Sequence, residues 1–301
     1  MKALFFAVIN PAAGHGRCAK LAGPALERLR GAGIELEVAE SRFPGHVSEL
    51  AKEAYQEGCR RFLAIGGDGT AYEIVNGLFP GAESGERPTL ALLPLGTGNS
   101  FLSDFTMEHG LEYAMKALLE GRSRPCDVLR MVHKEGVIHF INLLSMGFAA
   151  DAAAVTNRKF KPLGHLGYLL GVFTCLVRLD RRAFPLRVDG DAEIDRRRCL
   201  FVTFNNSKFT GRTMMIAPKA DTADGLIEYV RWGPIGRVGL LRNLHTLYDG
   251  SHLEHPLASR REARRIEFYL EGPVDVMVDG EVLTLHCQTL DVLPSALNVM
   301  V

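Results

Sequence analysis

The sequence predicts an α/β domain followed by a mainly β domain. Over residues 1–123, strand patterns alternate with helix patterns, which is typical of a parallel sheet covered by helices on both faces, a three-layer α/β domain. Over residues 124–301, short apolar runs with frequent alternation and intervening turns predict an antiparallel β-sandwich. The length of 301 residues also favours two domains.

The first domain is predicted to contain four strands and four helices. Apolar runs predict strands at Ala3–Ile9, Glu35–Ala39, Phe62–Ile65 and Thr89–Leu93. Helical spacing predicts a helix ending at Arg30 and further helices at His46–Gln56, Ala71–Leu78 and Glu108–Leu119. The carboxyl ends of parallel strands meet at one edge of a sheet, so we expect the glycine-bearing loops 10–17, 66–70 and 94–99 to lie together there.

The loop Gly66-Gly67-Asp68-Gly69-Thr70 joins a buried strand to a helix. Its glycines allow a ligand to approach the backbone, and the helix start offers unpaired N–H groups and a partial positive charge, which suit a phosphate. The Asp68 carboxylate would repel a phosphate, so we expect a cation, or its water, between them. A simpler interpretation is a tight turn with Thr70 as N-cap and Glu73 closing a capping box. Two similar junctions in the same domain weaken that alternative.

Composition excludes several kinds of protein. Lys plus Arg and Asp plus Glu both total 35, so no long-range field attracts nucleic acid or anionic lipid, and any membrane contact must be local. The six cysteines form no C-x-x-C pair, which argues against a zinc site and for a reducing compartment. The longest apolar stretch, Leu163–Leu179, contains charged residues and is shorter than the roughly 20 residues that span a bilayer. We therefore predict a buried or interface-lying helix there and no transmembrane segment.

The second domain offers carboxylates that could face the glycine loops. Its predicted strands are Val137–Leu144, Leu200–Phe204, Leu226–Val230, Ile266–Leu270, Val274–Val278 and Leu283–Leu293, with helical stretches at Asp151–Leu179 and Ile235–Asp249. Asp279-Gly280 is a common hairpin turn, and it places Asp279 and Glu281 on either side of a glycine. Phosphoryl transfer to an alcohol needs a phosphate cradle, a divalent cation and a carboxylate that accepts the hydroxyl proton.

Taken together, the motifs resemble those of the diacylglycerol and sphingosine lipid kinases. In the first domain they are Asn10-Pro11-x-x-Gly14-x-Gly16-Arg17, Gly45-His46, Gly66-Gly67-Asp68-Gly69-Thr70-x-x-Glu73-x-x-Asn76-Gly77 and Pro94-x-Gly96-Thr97-Gly98-Asn99-x-Phe101. In the second they are Ile216-Ala217-Pro218-x-Ala220-x-x-x-Asp224-Gly225 and Asp279-Gly280-Glu281. They span nearly the whole chain in the family's order.

The resemblance implies a two-domain enzyme with ATP and Mg²⁺ in the cleft between the domains. It implies a first domain like that of NAD kinase and phosphofructokinase, and a C-terminal β-sandwich that receives the lipid. It implies Glu281 as general base, or alternatively Asp68, and leaves this choice open. It also implies an enzyme of lipid metabolism and phospholipid biosynthesis that is cytoplasmic and associates peripherally with the membrane.

The same resemblance implies a set of binding residues. Those on the nucleotide-binding motifs are Asn10, Arg17, Ser41, Gly66, Gly67, Gly69, Thr70, Glu73, Gly96, Thr97, Gly98, Asn99, Asp279 and Gly280. The implied metal ligands are Asp68, Asp221 and Asp224. Ala223 stands where the family often has an additional acid, which weakens a second metal site at this position.

The lipid substrate is less defined than the chemistry. The segment from Leu144 to Asp151, followed by Arg158, resembles the sphingosine and ceramide kinases, so Asp151 could hold the amine of a sphingoid base and Arg158 could meet a phosphate. Equally, Asp151 could be a helix N-cap beside an exposed Arg158. Diacylglycerol therefore remains an alternative substrate.

Two alternatives come from other functional classes. An NAD kinase would share Gly-Gly-Asp-Gly but would not be expected to carry Pro-x-Gly-Thr-Gly-Asn or the late Asp-Gly-Glu. A non-catalytic lipid-binding protein on a kinase scaffold would not need Asp68, Glu281 and the glycine loops intact. The sequence indicates no nucleic-acid partner, and it leaves open whether the chain forms a homodimer.

Overall fold

The first domain contains the predicted parallel sheet. The structure is a computed structural model that describes residues 4–106, 110–156, 159, 170, 173–211 and 213–301. Four strands run parallel in the order β2-β1-β3-β4. Their bounds are Leu4–Ile9 for β1, Glu35–Glu40 for β2, Arg61–Gly66 for β3 and Thr89–Pro94 for β4.

Helices cover both faces of this sheet. They are α1 (Arg17–Gly31), α2 (His46–Gln56), α3 (Asp68–Leu78), the short α4 (Gly81–Ser84) and α5 (Leu111–Glu120), with a 3₁₀ turn at Phe101–Asp104. One core cluster lies under α2 and α3, and another lies under α1 and α5. The fourth predicted helix begins at Leu111, three residues later than expected, and residues 107–109 lie outside the described part of the chain.

The second domain is built on a six-stranded antiparallel sheet. Its order is β15-β14-β11-β7-β17-β18. These strands are β7 (Leu143–Gly147), β11 (Phe201–Asn205), β14 (Ile227–Trp232), β15 (Ala258–Ala263), β17 (Val274–Val278) and β18 (Glu281–Leu285). Helix α6 (Phe148–Val155), helical residues 173–178, α7 (Arg237–Asn243) and α8 (Thr246–Asp249) connect them.

A second layer of strands completes the sandwich and is continuous with the first domain. It consists of β5 (Ser123–His133), β6 (Gly136–Phe140), β9 (Leu186–Val188), β16 (Arg265–Phe268) and β19 (Cys287–Met300). Two short antiparallel pairs lie outside both layers: β8 (Arg182–Ala183) with β10 (Arg198–Cys199), and β12 (Phe209–Thr210) with β13 (Met214–Met215). The long β19 pairs antiparallel with β5 and β16, and its last residues pair parallel with β4. The two layers enclose one core cluster. The predicted fold class, an α/β domain followed by an antiparallel β domain, is confirmed, although the sequence did not reveal the return of β19 to the first sheet.

Two predicted strands are each divided in the structure. The run Val137–Leu144 forms β6 and β7, which belong to different sheets. The chain changes sheet at Ile141 and Asn142 because their N–H groups donate to the Asp279 carboxylate instead of to a neighbouring strand. The run Leu283–Leu293 likewise divides into β18 and β19, which also belong to different sheets.

Candidate active site

The three glycine-bearing loops meet at the carboxyl edge of the parallel sheet. Backbone hydrogen bonds fix their spacing: Asn10 N–H donates to the Ile65 carbonyl at 3.0 Å, and Gly96 N–H donates to the Gly66 carbonyl at 2.7 Å. Ser41 N–H donates to the Ile9 carbonyl at 2.9 Å, which adds the end of β2 to the same edge.

Glycine is required where these loops touch. A Cβ added to Gly96 would lie 2.3 Å from Gly67 Cα, and one added to Gly14 would lie 2.5 Å from the Leu95 carbonyl oxygen. Real Cβ atoms do not approach backbone atoms so closely, so the loops pack backbone against backbone at these two contacts. Thr97 and Arg17 are exposed beside them, while Asn99 donates from its amide to the Gly96 carbonyl at 3.1 Å.

Asp68 holds the third loop in place. Its Oδ2 accepts the Ser100 N–H at 2.8 Å, and its Oδ1 accepts the Phe101 N–H at 3.4 Å. Burial raises the pKa of Asp68 above its ordinary value, although these donors oppose the shift. A Cβ on Gly98 would lie 2.8 Å from Asp68 Oδ2, so the carboxylate fills the space under that glycine.

The capping box considered from the sequence does not form. Helix α3 begins at Asp68 with Gly67 as its N-cap, and no side chain caps it. Glu73 instead accepts the Val47 N–H at 3.2 Å, at the start of α2. The Thr70 hydroxyl is buried against Gly66 and lacks a hydrogen-bond partner among the described residues.

The Asp279-Gly280 hairpin faces these loops from the second domain. Both residues have positive φ, 47° and 91°, as a two-residue type I′ turn requires. Asp279 is buried and accepts the N–H groups of Ile141, Asn142 and Leu143 at 3.0–3.1 Å. Burial raises the pKa of Asp279 to about 7, and the nearby Asp68 charge adds to the shift.

Glu281 projects from this hairpin to the start of α3. It is exposed, and a Cβ added to Gly69 would lie 2.7 Å from its Oε1. The hairpin thus brings a second-domain carboxylate to the glycine loop of the first domain. The motif residue Asn76 connects the same domains, because its amide donates to the His139 carbonyl and accepts the His139 N–H at 2.8 and 2.9 Å.

Asp221 and Asp224 each accept a hydrogen bond from the backbone two residues further along the chain. Asp221 accepts the Ala223 N–H and Asp224 accepts the Leu226 N–H, so each carboxylate closes a local turn. Both are exposed. Across the described residues, no three His, Cys, Asp or Glu side chains cluster as a metal site would require. Asp221 and Asp224 as metal ligands stay a prediction.

Asp151 forms an ion pair with Arg182. It is not an N-cap, since that position is Gly147, and its oxygens accept two hydrogen bonds from the Arg182 guanidinium at 2.5 and 2.6 Å. It lines a cavity of about 240 Å³ with Thr174, Cys175 and Asp275 among other residues. Its proposed companion, Arg158, lies outside the described residues.

The sheet itself separates Asp151 from Glu281. Glu281 pairs directly with Val278, whose side chain lies in the sandwich core, so both side chains share one face of the sheet. Asp275, next to Asp151 in the cavity, lies an odd number of residues away from Val278 and therefore on the opposite face.

Two family models together match most of the chain. Residues 4–131 match the model of the diacylglycerol kinase catalytic domain, and residues 142–301 match the YegS C-terminal NAD kinase beta sandwich-like domain. The chain belongs to the diacylglycerol kinase family. Membership of this family implies lipid kinase activity.

Curated relatives agree over nearly the full length. A diacylglycerol kinase of Mycobacterium tuberculosis is 27% identical over 296 residues, covering 98% of this chain and 94% of its own. One from Staphylococcus aureus is 26% identical over 280 residues, covering 91% and 84%.

Solved structures show the same fold. A diacylglycerol kinase from Bacillus anthracis str. Sterne has TM-score 0.70 at 19% identity, covering 99% of this chain and 96% of its own. A second structure from that organism has TM-score 0.78 at 21% identity, covering 99% and 95%.

Two residues near this candidate site were not identified from the sequence. Tyr72, on α3, lies among the acids: burial, followed by the charges of Asp279 and Glu281, raises its pKa. Asp127 is buried and accepts the N–H groups of Gly225 and Ser295 at 2.6 Å, which holds the loop that carries Asp224. The sequence offered no periodicity that marks either residue.

Proposed function

We propose that this protein is an ATP- and Mg²⁺-dependent diacylglycerol kinase that phosphorylates the free hydroxyl of diacylglycerol. The observation that carries the proposal is Glu281 Oε1 facing the glycine loop at Gly69 across the domain boundary. This geometry offers a phosphate cradle and a proton acceptor in one cleft, as phosphoryl transfer to an alcohol needs.

The loops fit the phosphates of ATP. A Cβ at Gly67 or Gly98 would lie 3.1 Å from Gly96 Cα or 2.8 Å from Asp68 Oδ2, so glycine at these positions lets the loops pack together at the sheet edge. Asn10, Ser41 and the exposed Arg17 surround the same sheet edge.

The carboxylates at this site suit a Mg²⁺ ion that they contact through its bound waters. Mg²⁺ usually keeps several waters and takes one or two carboxylates together with substrate phosphates. Asp68 already accepts backbone N–H groups, so it is suited to contact a metal-bound water. When bound, the cation would neutralise charge on the transferred phosphoryl group.

Glu281 is the better candidate for the base. The substrate oxygen forms a bond to the γ-phosphorus as the bond from that phosphorus to the ADP oxygen breaks, and the hydroxyl proton passes to the carboxylate. Glu281 is exposed, whereas Asp68 is partly buried and accepts the N–H groups of Ser100 and Phe101. Asp279 holds the hairpin that carries Glu281.

The environment of Asp151 favours a neutral headgroup. A sphingoid amine would have to displace Arg182 from the carboxylate, and it would then lie on the sheet face opposite Glu281. Diacylglycerol has no amine and therefore needs no carboxylate partner for its headgroup. The curated relatives named diacylglycerol kinase support the same choice.

A substrate panel tests the proposed function. Labelled ATP is offered with diacylglycerol, sphingosine, ceramide or NAD in detergent micelles, with and without Mg²⁺. We expect label in diacylglycerol only, and none once Mg²⁺ is chelated. Label in sphingosine or in NAD instead would overturn the proposed substrate.

Gly69→Ala should lower kcat by roughly 10 to 10²-fold while ATP affinity changes little. The new methyl would lie 2.7 Å from Glu281 Oε1, so the carboxylate must move, and misplacement by about 1 Å is sufficient for such a loss. The measurement is kcat and the KM for ATP at saturating diacylglycerol. Gly23→Ala, where nothing lies within 4 Å of the added Cβ, is the matched control. Unchanged kcat in Gly69→Ala would place the reacting hydroxyl away from Glu281.

Asp151→Asn should leave kcat/KM for diacylglycerol nearly unchanged. The substitution removes the negative charge that faces Arg182, in a pair that is partly exposed, so we expect a stability loss of at most about 1 kcal/mol. Thermal unfolding measures the stability, and the substrate panel measures activity. A loss of diacylglycerol phosphorylation in a stable variant would move the headgroup site to the Asp151 cavity.

A further inference from the structure

An apolar face is exposed on the helices that cover the outer side of the six-stranded sheet. Val238 and Leu241, three residues apart on α7, are 61% and 58% exposed. Phe173 and Val177, four residues apart in helical residues 173–178, are 62% and 54% exposed. Residues spaced three or four apart lie on one side of a helix, so each helix presents an apolar pair to solvent.

The two helices form one surface. The Arg237 guanidinium donates to the carbonyls of Leu176 and Val177, at 3.1 and 2.6 Å, and so joins the start of α7 to the end of helical residues 173–178. The opposite side of α7 is also apolar: Leu240 is buried in the cluster that contains Trp232. The exposed residues are therefore additional to those that the fold needs for its core.

Exposed arginines outnumber exposed acids in the segments that carry this surface, although the chain is neutral overall. Lys plus Arg and Asp plus Glu each total 35 in the whole sequence. The segments 173–182 and 234–249 instead expose more arginines than acids. The exposed arginines are Arg178, Arg181, Arg237 and Arg242, and the exposed acids are Asp180 and Asp249. Such local charge complements an anionic bilayer surface.

We propose that Phe173, Val177, Val238, Leu241 and the neighbouring exposed Tyr248 form a membrane-docking face, which lies on an anionic bilayer. Apolar side chains flanked by arginines are the composition that binds at the headgroup level. No helix in the described part of the chain is long and apolar enough to cross a membrane. The inference rests on the proposed function, because a diacylglycerol substrate resides in a bilayer.

Vesicle binding tests the docking face without substrate or ATP. Wild-type protein should sediment with vesicles of phosphatidylcholine and phosphatidylglycerol, and less with phosphatidylcholine alone or at high salt. The double variant V238E/L241E should lose at least about tenfold in vesicle affinity, since two apolar anchors become charged. The control L21E/L119E adds the same charges at exposed positions of the first domain and should bind as wild type does.

A second variant tests the docking face without adding a charge to the protein. Leu241→Trp keeps an apolar side chain, and the only native tryptophan, Trp232, is fully buried. Brominated phospholipid should quench the new fluorescence, while Leu119→Trp should remain unquenched. Absence of quenching at position 241, or equal vesicle binding by V238E/L241E and wild type, refutes the docking face. Wild-type dimers that V238E/L241E converts to monomers, with unchanged vesicle binding, would assign the face to a second copy of the chain.

Activity separates this inference from the proposed function. On a short-chain diacylglycerol dispersed as monomers, V238E/L241E should retain wild-type kcat/KM, and on bilayer diacylglycerol it should lose about as much as it loses in vesicle affinity. If wild-type protein phosphorylates neither lipid, the proposed function fails while the vesicle result still decides the docking face. Equal loss on both lipids would mean that the substitutions act on the active site, and it would refute the inference.

Discussion

Glu281→Gln should lower kcat by about 10²–10⁴ with little change in ATP affinity, because a neutral amide cannot accept the substrate proton. Glutamine keeps the size of the side chain, and the exposed position at the start of β18 tolerates it. The loss should therefore fall on the chemical step. Initial rates over a range of ATP and diacylglycerol concentrations, combined with direct nucleotide-binding measurements, separate kcat from affinity.

Two comparisons define what a loss at Glu281 means. Glu271→Gln alters another exposed glutamate of the same domain and should leave kcat unchanged. Asp68→Asn weakens the acceptor of the Ser100 and Phe101 N–H groups, so it should reduce ATP affinity as well as kcat. A nearly active Glu281→Gln protein beside an Asp68→Asn protein that binds ATP normally but does not turn over would transfer the role of base to Asp68.

The fold was predictable because its signals are local. Alternating strand and helix patterns define the parallel sheet, and glycines at the strand ends identify the loops that meet at its edge. The hairpin at Asp279-Gly280 also follows from two adjacent residues. Long-range pairing has no such signal. Nothing in the composition of β19 indicates that its last residues extend the first-domain sheet beside β4.

The roles of individual acids were harder to predict for the same reason. Asp68 was expected to bind a metal or act as the base, and Asp279 was expected to contact the nucleotide. Each accepts N–H groups from residues distant in sequence, near 100 for Asp68 and near 142 for Asp279. The Glu73 side chain was expected to serve the nucleotide loop, and it accepts the Val47 N–H at the start of α2. A motif shared across a family thus combines residues that contact ligand with residues that hold the ligand loops. Only the contacts distinguish the two kinds.

Gly67→Asp should abolish kinase activity and nucleotide binding while the protein remains folded. Gly67 has extended backbone, φ −119° and ψ −167°, which any residue adopts, so the substitution brings little backbone strain. The side chain would grow where a Cβ lies 3.1 Å from Gly96 Cα, at the contact between two loops, and its charge would repel the phosphates beside the Asp68 carboxylate.

A graded series distinguishes size from charge at Gly67. Gly67→Ala tests the methyl alone, Gly67→Asn adds the volume of the aspartate without its charge, and Gly67→Asp adds the charge. Nucleotide affinity should fall in that order, with the step from Asn to Asp largest at low ionic strength because salt screens the repulsion. Gly23→Asp, on an open face of α1, controls for stability, and circular dichroism verifies folding. Since phosphate must approach the backbone at position 67 for the cradle to work, a folded Gly67→Asp protein with normal nucleotide affinity would place ATP elsewhere.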